Sequence, residues 1–186
     1  MINIGYDENI VATNYRGLAE LHEFSSPEEA RARALFVQES LTWIGTPFVD
    51  CGDIKGPKGC VDCAMLLVRS SVDSGLLPPF DPRPYPPSWL LHRNEERFIE
   101  WVVDKLGGVE VEKPRFGDLS VYLFGRTFAH GTINVGFDMV VHAYKVAGIT
   151  KLSKKTEDTL MYMPIGVKLK RPVKHFDVWS GRWPRT

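Results

Sequence analysis

The residues best suited to covalent chemistry are three cysteines, Cys51, Cys60 and Cys63, which lie within thirteen residues of the 186-residue chain. An odd, low cysteine count argues against a disulfide framework and favours reduced thiols. Cys63 opens the apolar run "CAMLLV", which places it in the first turn of a buried helix. A helix N-terminus supplies backbone N–H groups and positive potential, which favour a thiolate and could hold an oxyanion. Cys63 is therefore the candidate nucleophile, and a buried structural cysteine is the alternative.

Two histidines, His130 and His142, are candidates for a base and its orienting partner. They are twelve residues apart and symmetric about Gly136 in "VGFD", a pattern typical of a turn between two strands. A hairpin with an odd loop over residues 135–137 would pair His130 directly with His142, their Cβ atoms about 4.5–5.5 Å apart. A register shifted by one residue would put the two rings on opposite faces, as unrelated strand histidines.

With Cys63 in reach, these side chains form a candidate triad. Cys63 would be the nucleophile, one histidine the general base and acid, and the other the residue that fixes its tautomer and ring direction. Chain order does not choose between the histidines. His130 lies between Ala129 and Gly131, which are small enough to leave room for a substrate. Since His142 in "VVHAY" is more enclosed, we assign His130 as base and His142 as orienting residue.

The cysteine spacing also allows a metal site or a redox site. C-x8-C-x2-C could supply three thiolates to zinc, with a histidine as the fourth ligand. Structural zinc sites usually show two paired-ligand knuckles, and here the first spacing is long and no second C-x-x-C or H-x-x-x-H occurs. A redox C-x-x-C should follow a strand in a βαβ unit, and none surrounds "CVDC". We expect no metal or cofactor, and we expect Cys51 and Cys60 to be packing or partly exposed thiols.

Charge and hydropathy limit the partners. Lys plus Arg and Asp plus Glu both number 23, so the formal net charge is zero and no long-range field attracts nucleic acid or an anionic membrane. The first twenty residues lack the basic and apolar regions of a signal peptide. No stretch approaches the roughly 18 apolar residues of a membrane span. We expect a protein that is cytoplasmic at synthesis and binds neither nucleic acid nor membrane.

Helices dominate the first half of the chain. "SSPEEARARALFVQESLTWIG" begins with Ser26 as N-cap, Pro27 at the first helical position and Glu29 to close a capping box. These signals predict a helix over residues 27–44. "VDCAMLLVRSSVDSG" is apolar on nearly every side and predicts a buried helix over residues 62–75.

A proline-rich strap, residues 78–87, follows the predicted buried helix, and another helix, capped by Ser88, ends at Gly107. After residue 108 the hydrophobic pattern changes from the period of a helix to that of strands. Short β-branched and aromatic segments then predict consecutive antiparallel strands at "DLSVYLFG", "TFAHGTINVG", "DMVVHAYK", "TLMYMPIGV" and "VKHFDVW". Helices first and strands second indicate an α+β fold, with N-terminal helices packed on an antiparallel sheet in a single domain, residues 1–186.

The order of these features resembles the NlpC family of cell-wall cysteine peptidases. The motifs are "GTPF", "VDCAMLL" opening a buried helix, "FGDLSVYLF", "FAHGTINVG" and "VVHAYK", within about residues 27–145. The resemblance implies a papain-like α+β fold with Cys63 as nucleophile, His130 as base and His142 as the third, orienting residue. It also implies hydrolysis of peptidoglycan stem peptides through an acyl-enzyme and without metal, typically between D-glutamate and a diamino acid.

Three further positions correspond to positions at which the family binds its substrate. The family commonly has Tyr where this chain has Phe48, and a small polar residue where it has Ala64. Both departures concern the amino end of the substrate and leave the exact bond open. Asp62 matches the residue that caps the helix or meets a substrate amine. Phe48, Asp62 and Ala64 are therefore the expected substrate-binding residues.

The strap at residues 78–87 and "PPSWLLHRNEERFIEWV" resemble the version of this domain encoded by bacteriophages and related tail-like elements. That resemblance implies a tail-associated wall peptidase with phage tail proteins as partners. Two alternatives remain. One is a non-catalytic tail component with the same fold, and the other is a thiol acyltransferase that keeps the triad but uses another acceptor.

Overall fold

The computed structural model of the protein describes residues 24, 26–85, 96–162 and 169–182. In chain order the helices within them are α1 (Pro27–Leu41), α2 (Cys63–Asp73), α3 (Arg97–Leu106) and α4 (Asp158–Met161). The strands are β1 (Asp53–Ile54), β2 (Cys60–Val61), β3 (Val109–Val111), β4 (Leu119–Phe124), β5 (Thr127–Gly136), β6 (Met139–Tyr144), β7 (Ile149–Lys154) and β8 (Val173–Asp177). None of these helices is both long enough and apolar enough to cross a membrane.

The strands β3 to β8 form one antiparallel sheet in the order β3-β8-β4-β5-β6-β7. The helices α1, α2 and α3 all contact β5, near the middle of this sheet. Leu66 and Leu67 of α2 and Val102 of α3 are fully buried in the shared core. Helices that pack on an antiparallel sheet confirm the predicted α+β class.

The strand prediction is wrong at one predicted segment, at two strands of the sheet that were not predicted, and in the strand order. In "TLMYMPIGV" the described part is not a strand of the sheet, because α4 covers its start and Tyr162 forms only an isolated bridge with Lys170. Residues 163–168 lie outside the described residues. β3 and β7, the two edge strands of the sheet, were not predicted. The strands are also not consecutive in space, since β8, the last in the chain, lies between β3 and β4.

The two helices predicted before the strap are found. α1 begins where Ser26 accepts a hydrogen bond from the Glu29 N–H, and it ends at Leu41, three residues before the predicted end. α2 begins after Asp62, the predicted start, and ends at Asp73. The predicted Ser88 cap of the following helix lies outside the described residues, and that helix, α3, ends at Gly107 as predicted.

A fully buried arginine, Arg33, ties α1 to the sheet. Its guanidinium donates to Glu29 at 2.8 Å, to Asp118 at 2.6 Å and to the Phe116 carbonyl at 2.7 Å. The "FGDL" motif therefore has a structural role, because Asp118 anchors the helix at the start of β4. Gly117 adopts a φ of +81°, and a Cβ there would lie 3.3 Å from the Arg33 side chain.

Candidate active site

Cys63 is the first residue of α2, and its side chain is partly buried where this helix meets β5. The thiol donates a hydrogen bond to the carbonyl of Ala129, with Sγ and O 3.6 Å apart. Ala129 is the residue before His130, so the helix start and the predicted base meet at one point. Within the described residues, the hydrogen bond of this thiol runs to that carbonyl and not to the His130 ring.

The Cys63 thiol is protonated at neutral pH. Burial and the neighbouring Asp62 carboxylate raise its pKa to about 12, against the opposing effect of backbone N–H groups such as that of Gly131. The prediction that the helix N-terminus would favour a thiolate is therefore wrong for the free protein. Desolvation and an adjacent anion outweigh the helix dipole here.

Asp62 joins the helix, a loop and the proline strap. Its carboxylate accepts hydrogen bonds from the Met65 N–H at 2.8 Å, the Cys51 N–H at 2.7 Å and the Tyr85 hydroxyl at 2.8 Å. Burial raises the pKa of this carboxyl, and the three hydrogen bonds oppose that shift. The helix-capping role predicted for Asp62 is observed, and the two other partners were not foreseen.

His130 and His142 are hydrogen-bonded to each other. His130 Nε2 and His142 Nδ1 are 2.8 Å apart, and His142 Nε2 is 2.9 Å from the Ser153 hydroxyl on β7. All three side chains are buried. Ser153 was not among the site residues predicted from the sequence. The available signal was one small hydroxyl residue among lysines, two positions after Lys151 and therefore on the same face of the strand.

The hairpin that brings the two histidines together has a different loop and register from those predicted. Its loop is Phe137–Asp138, both with positive φ, and Gly136 pairs with Met139. A two-residue loop of this kind matches the twist of a hairpin. A register shift between Asn134 and Gly136 then adds one residue to β5.

An extra residue on one strand moves the side chains beyond it to the other face of the sheet. The irregularity in β5 therefore puts His130 and His142 on the same face, as the predicted odd loop would also have done. Ile133 pairs with Val141, so His130 is diagonal to His142. The predicted direct pairing is wrong, whereas the expected contact between the rings is present.

Both histidines are neutral at pH 7. Burial, followed by the neighbouring His142, lowers the pKa of His130 well below its ordinary value. Burial and Lys151 lower the pKa of His142 to about 4. Three aromatic rings surround His130, those of Phe124 at 4.9 Å, Tyr144 at 5.6 Å and Tyr122 at 6.5 Å between centroids. The resting site is therefore an uncharged thiol beside an uncharged imidazole.

A cavity of about 380 Å³ opens beside Cys63. Of the predicted site residues, Phe48, Asp62, Cys63, Ala64 and His130 line it, and His142 lies behind His130. Most of the remaining lining is apolar and comes from Val68, Pro82, Pro84, Tyr85, Phe98, Trp101, Phe124, Ala129, Tyr144 and Val146. The charged lining residues besides Asp62 are Asp50, Arg97 and Lys145.

The other two cysteines, like Cys63, are free and partly buried thiols in the described part of the chain. Cys51 has a φ of +61° and its Sγ is 3.5 Å from the Tyr85 carbonyl, while Cys60 pairs with Ile54 in the β1–β2 hairpin. Over the ranges that the structure describes, no three His, Cys, Asp or Glu side chains are grouped as metal ligands. The zinc arrangement considered from the C-x8-C-x2-C spacing is thus not formed by these residues.

Comparison with known proteins shows a likeness of fold. No protein-family model and no curated protein matches the chain. It is similar to the solved structure of the peptidoglycan hydrolase RipB from Mycobacterium tuberculosis, with a TM-score of 0.50 and 15% identity over 96% of this chain and 86% of that one. The P60 domain of an antigen from M. avium subspecies paratuberculosis also matches, with a TM-score of 0.46 and 17% identity over 70% of this chain and 90% of that one. The likeness to RipB confirms the predicted papain-like α+β fold.

Proposed function

We propose that this protein is a cysteine endopeptidase or amidase that hydrolyses peptidoglycan stem peptides through an acyl-enzyme on Cys63. The observation that carries the proposal is the meeting of Cys63 and His130 at one cavity, with His130 hydrogen-bonded to His142. RipB, which has the same fold, is described as a peptidoglycan hydrolase, and this supports the choice of substrate.

In the proposed reaction the thiol turns from the Ala129 carbonyl towards Nδ1 of His130. Sγ attacks the substrate carbonyl carbon while the thiol proton passes to His130, and the carbonyl oxygen becomes an oxyanion beside the N-terminus of α2. The intermediate collapses, the C–N bond breaks, and His130 gives its proton to the leaving amine. A water molecule then loses a proton to His130 and attacks the thioester, which releases the acid and restores the thiol.

The remaining predicted residues have distinct proposed roles. Phe48 and Ala64 both line the cavity, and they would contact the substrate near its amino end. Asp62 already accepts from three donors, so a substrate amine that reached it would compete with the Tyr85 hydroxyl. We therefore assign Asp62 first to the support of the helix start.

The apolar lining of the cavity favours a second candidate function, thiol acyl transfer with an apolar acyl group. D-glutamate and a diamino acid are charged, whereas Phe98, Trp101, Phe124 and Tyr144 supply mainly aromatic surface. The same Cys63 thioester would form, and a different acceptor would resolve it.

To test the proposal, the purified protein is incubated with a peptide of L-alanine, D-glutamate and a diamino acid and, separately, with esters of short and long acyl chains. The products are identified by mass spectrometry. Cys63→Ala should abolish turnover and keep the fold, and Cys60→Ala, the matched thiol control, should leave turnover near that of the unmodified protein. Turnover that survives Cys63→Ala would contradict both candidates. Long-chain ester turnover without peptide cleavage would favour acyl transfer. No turnover, with iodoacetamide modifying Cys63 no faster than Cys60, would favour the non-catalytic tail component.

We also propose that the protein is made in the cytoplasm and acts with phage tail proteins. This part rests on the resemblance of residues 78–102 to tail-associated versions of the domain. Mass spectrometry of purified tail particles checks it, and repeated absence of the protein from such particles would contradict it.

A further inference from the structure

We propose that Ser153 is a positioning residue of this site, whose hydroxyl sets the tautomer of His142 and thereby keeps Nδ1 of His130 free to accept the Cys63 proton. The inference rests on the proposed function, since it assigns a role within the same triad. It concerns a residue that never touches the substrate and acts only through the two imidazoles.

The geometry is a continuous hydrogen-bonded chain across three neighbouring strands, β5, β6 and β7. His130 Nε2 and His142 Nδ1 are 2.8 Å apart, and His142 Nε2 and Ser153 Oγ are 2.9 Å apart. His142 is 0% exposed and Ser153 is 2% exposed, so water does not compete for these atoms. The chain therefore ends on the Ser153 hydroxyl.

A neutral imidazole carries one N–H donor and one acceptor nitrogen, so the chain has two arrangements. In the first, His130 Nε2–H donates to His142 Nδ1, and His142 Nε2–H donates to Ser153. In the second, Ser153 donates to His142 Nε2, His142 Nδ1–H donates to His130 Nε2, and the His130 proton lies on Nδ1. Only the first arrangement leaves His130 with an unprotonated Nδ1, which a general base requires.

Among the residues that the structure describes, no charged group takes the place that Ser153 holds. The charges that act on His142 are those of Lys151 and Glu157, and these two side chains are paired with each other at 2.9 Å. Tyr144 stacks on the His142 ring, with centroids 5.1 Å apart and planes at 24°, and covers its face and not its nitrogens. Among the described residues, Ser153 is thus the hydrogen-bond partner of His142 Nε2.

Ser153→Ala removes the acceptor of the first arrangement. A buried N–H without an acceptor is costly, so the His142 proton should move to Nδ1 and donate to His130 Nε2. His130 would then carry its proton on Nδ1, facing the thiol. We expect kcat/KM to fall about 10- to 100-fold, the loss seen when buried partners that orient metal-binding histidines are removed, with KM unchanged.

The matched control is Ser120→Ala. Ser120 on β4 hydrogen-bonds His175 Nδ1 at 2.8 Å and also accepts from Asn134 Nδ2 at 2.9 Å, so this variant removes a serine–histidine contact and one further hydrogen bond from the same sheet, outside the triad. Ser120→Ala should leave turnover near that of the unmodified protein. Ser153→Cys keeps the shape of the side chain with a weaker acceptor and should lose less activity than Ser153→Ala, and it replaces that variant if the alanine protein does not fold.

The deciding measurement is the tautomer of His130 and His142, read from nitrogen-15 NMR of histidine-labelled protein without substrate. We expect Nε2–H on both rings in the unmodified protein and Nδ1–H on both in Ser153→Ala. Unchanged tautomers in the folded variant, or an equal loss of turnover in Ser120→Ala, would overturn the inference. Turnover that survives Cys63→Ala would instead overturn the proposed function and leave the tautomer result standing.

Discussion

The Asp62 carboxylate both caps α2 and binds two residues from outside that helix, Cys51 and Tyr85. Its capping role follows from sequence, because an aspartate before an apolar helix is a frequent N-cap. Its contacts with Cys51 and Tyr85 do not, since those residues are 11 and 23 positions away in loops of irregular backbone. Tyr85 brings a phenol from the strap to the start of α2. The strap is therefore tied to the helix that carries Cys63.

Tyr85→Phe should lower the free energy of unfolding by about 1.5–3 kcal/mol, the usual contribution of a hydrogen bond to a charged group. The ring stays, so the loss reports the hydroxyl that donates to Asp62 at 2.8 Å. Urea unfolding followed by circular dichroism measures it. Tyr122→Phe is the control, because the Tyr122 hydroxyl has no hydrogen-bond partner among the described residues and its removal should cost less. Equal losses in the two variants would show that the contact with Asp62 adds no stability.

Among the elements, those with strong local signals were predicted and those set by distant contacts were not. The Ser26 cap, the Asp62 cap and the glycine turn near residue 136 are encoded locally, and the structure has all three. The β5 irregularity was not foreseen, because it depends on how β5 fits β6. β7 was not predicted, because its lysines and an exposed isoleucine obscure the burial of Thr150 and Ser153. For the site, the sequence predicted that Cys63 would begin a helix and that the two histidine rings would meet. The pKa shifts of these three side chains were not predicted, because their largest cause is burial in the folded protein.

Gly131→Ala should destabilise the contact between β5 and the helices. A Cβ at this position would lie 2.4 Å from Phe98 Cζ and 2.7 Å from Leu67 Cδ1. Overpacking costs about 1–3 kcal/mol, which exceeds the roughly 0.5–1 kcal/mol gained by removing a glycine from a strand. The small size of Gly131 thus serves helix packing, whereas the sequence reasoning assigned it to substrate access.

Thermal unfolding of Gly131→Ala and of Gly181→Ala, the control, measures this effect. A Cβ on Gly181 meets no atom within 4 Å, so that variant should keep its melting temperature. An unchanged melting temperature in Gly131→Ala would show that Phe98 and Leu67 move aside freely.

For the molecule as a whole, buried ionisable groups act in opposite directions on stability. Burial raises the pKa of Asp118 to about 6 although Arg33 opposes the shift. A carboxyl whose pKa is raised in the folded state binds its proton more tightly there, so its contribution to stability is largest at low pH and is lost as pH rises towards 6. His130 and His142 act the other way, because their pKa values are lowered and their stabilising effect is present above about pH 6.5.

Three histidines with lowered pKa values, His130, His142 and His175, outweigh two carboxyls with raised pKa values, Asp62 and Asp118, so acidification from pH 7 to pH 5 should destabilise the protein. For His142, whose pKa falls from an ordinary 6.5 to about 4, the loss over this range is about 2 kcal/mol. The groups that face His142 are His130, Lys151 and Glu157, and protonation of His142 would place a positive charge beside Lys151. His142→Gln keeps a hydrogen-bonding side chain without this titration, so its free energy of unfolding should fall by about 2 kcal/mol less between the two pH values. Urea unfolding of both proteins at pH 7 and pH 5 gives the four values needed. An equal fall in both proteins would mean that His142 does not have to remain neutral for the fold to persist.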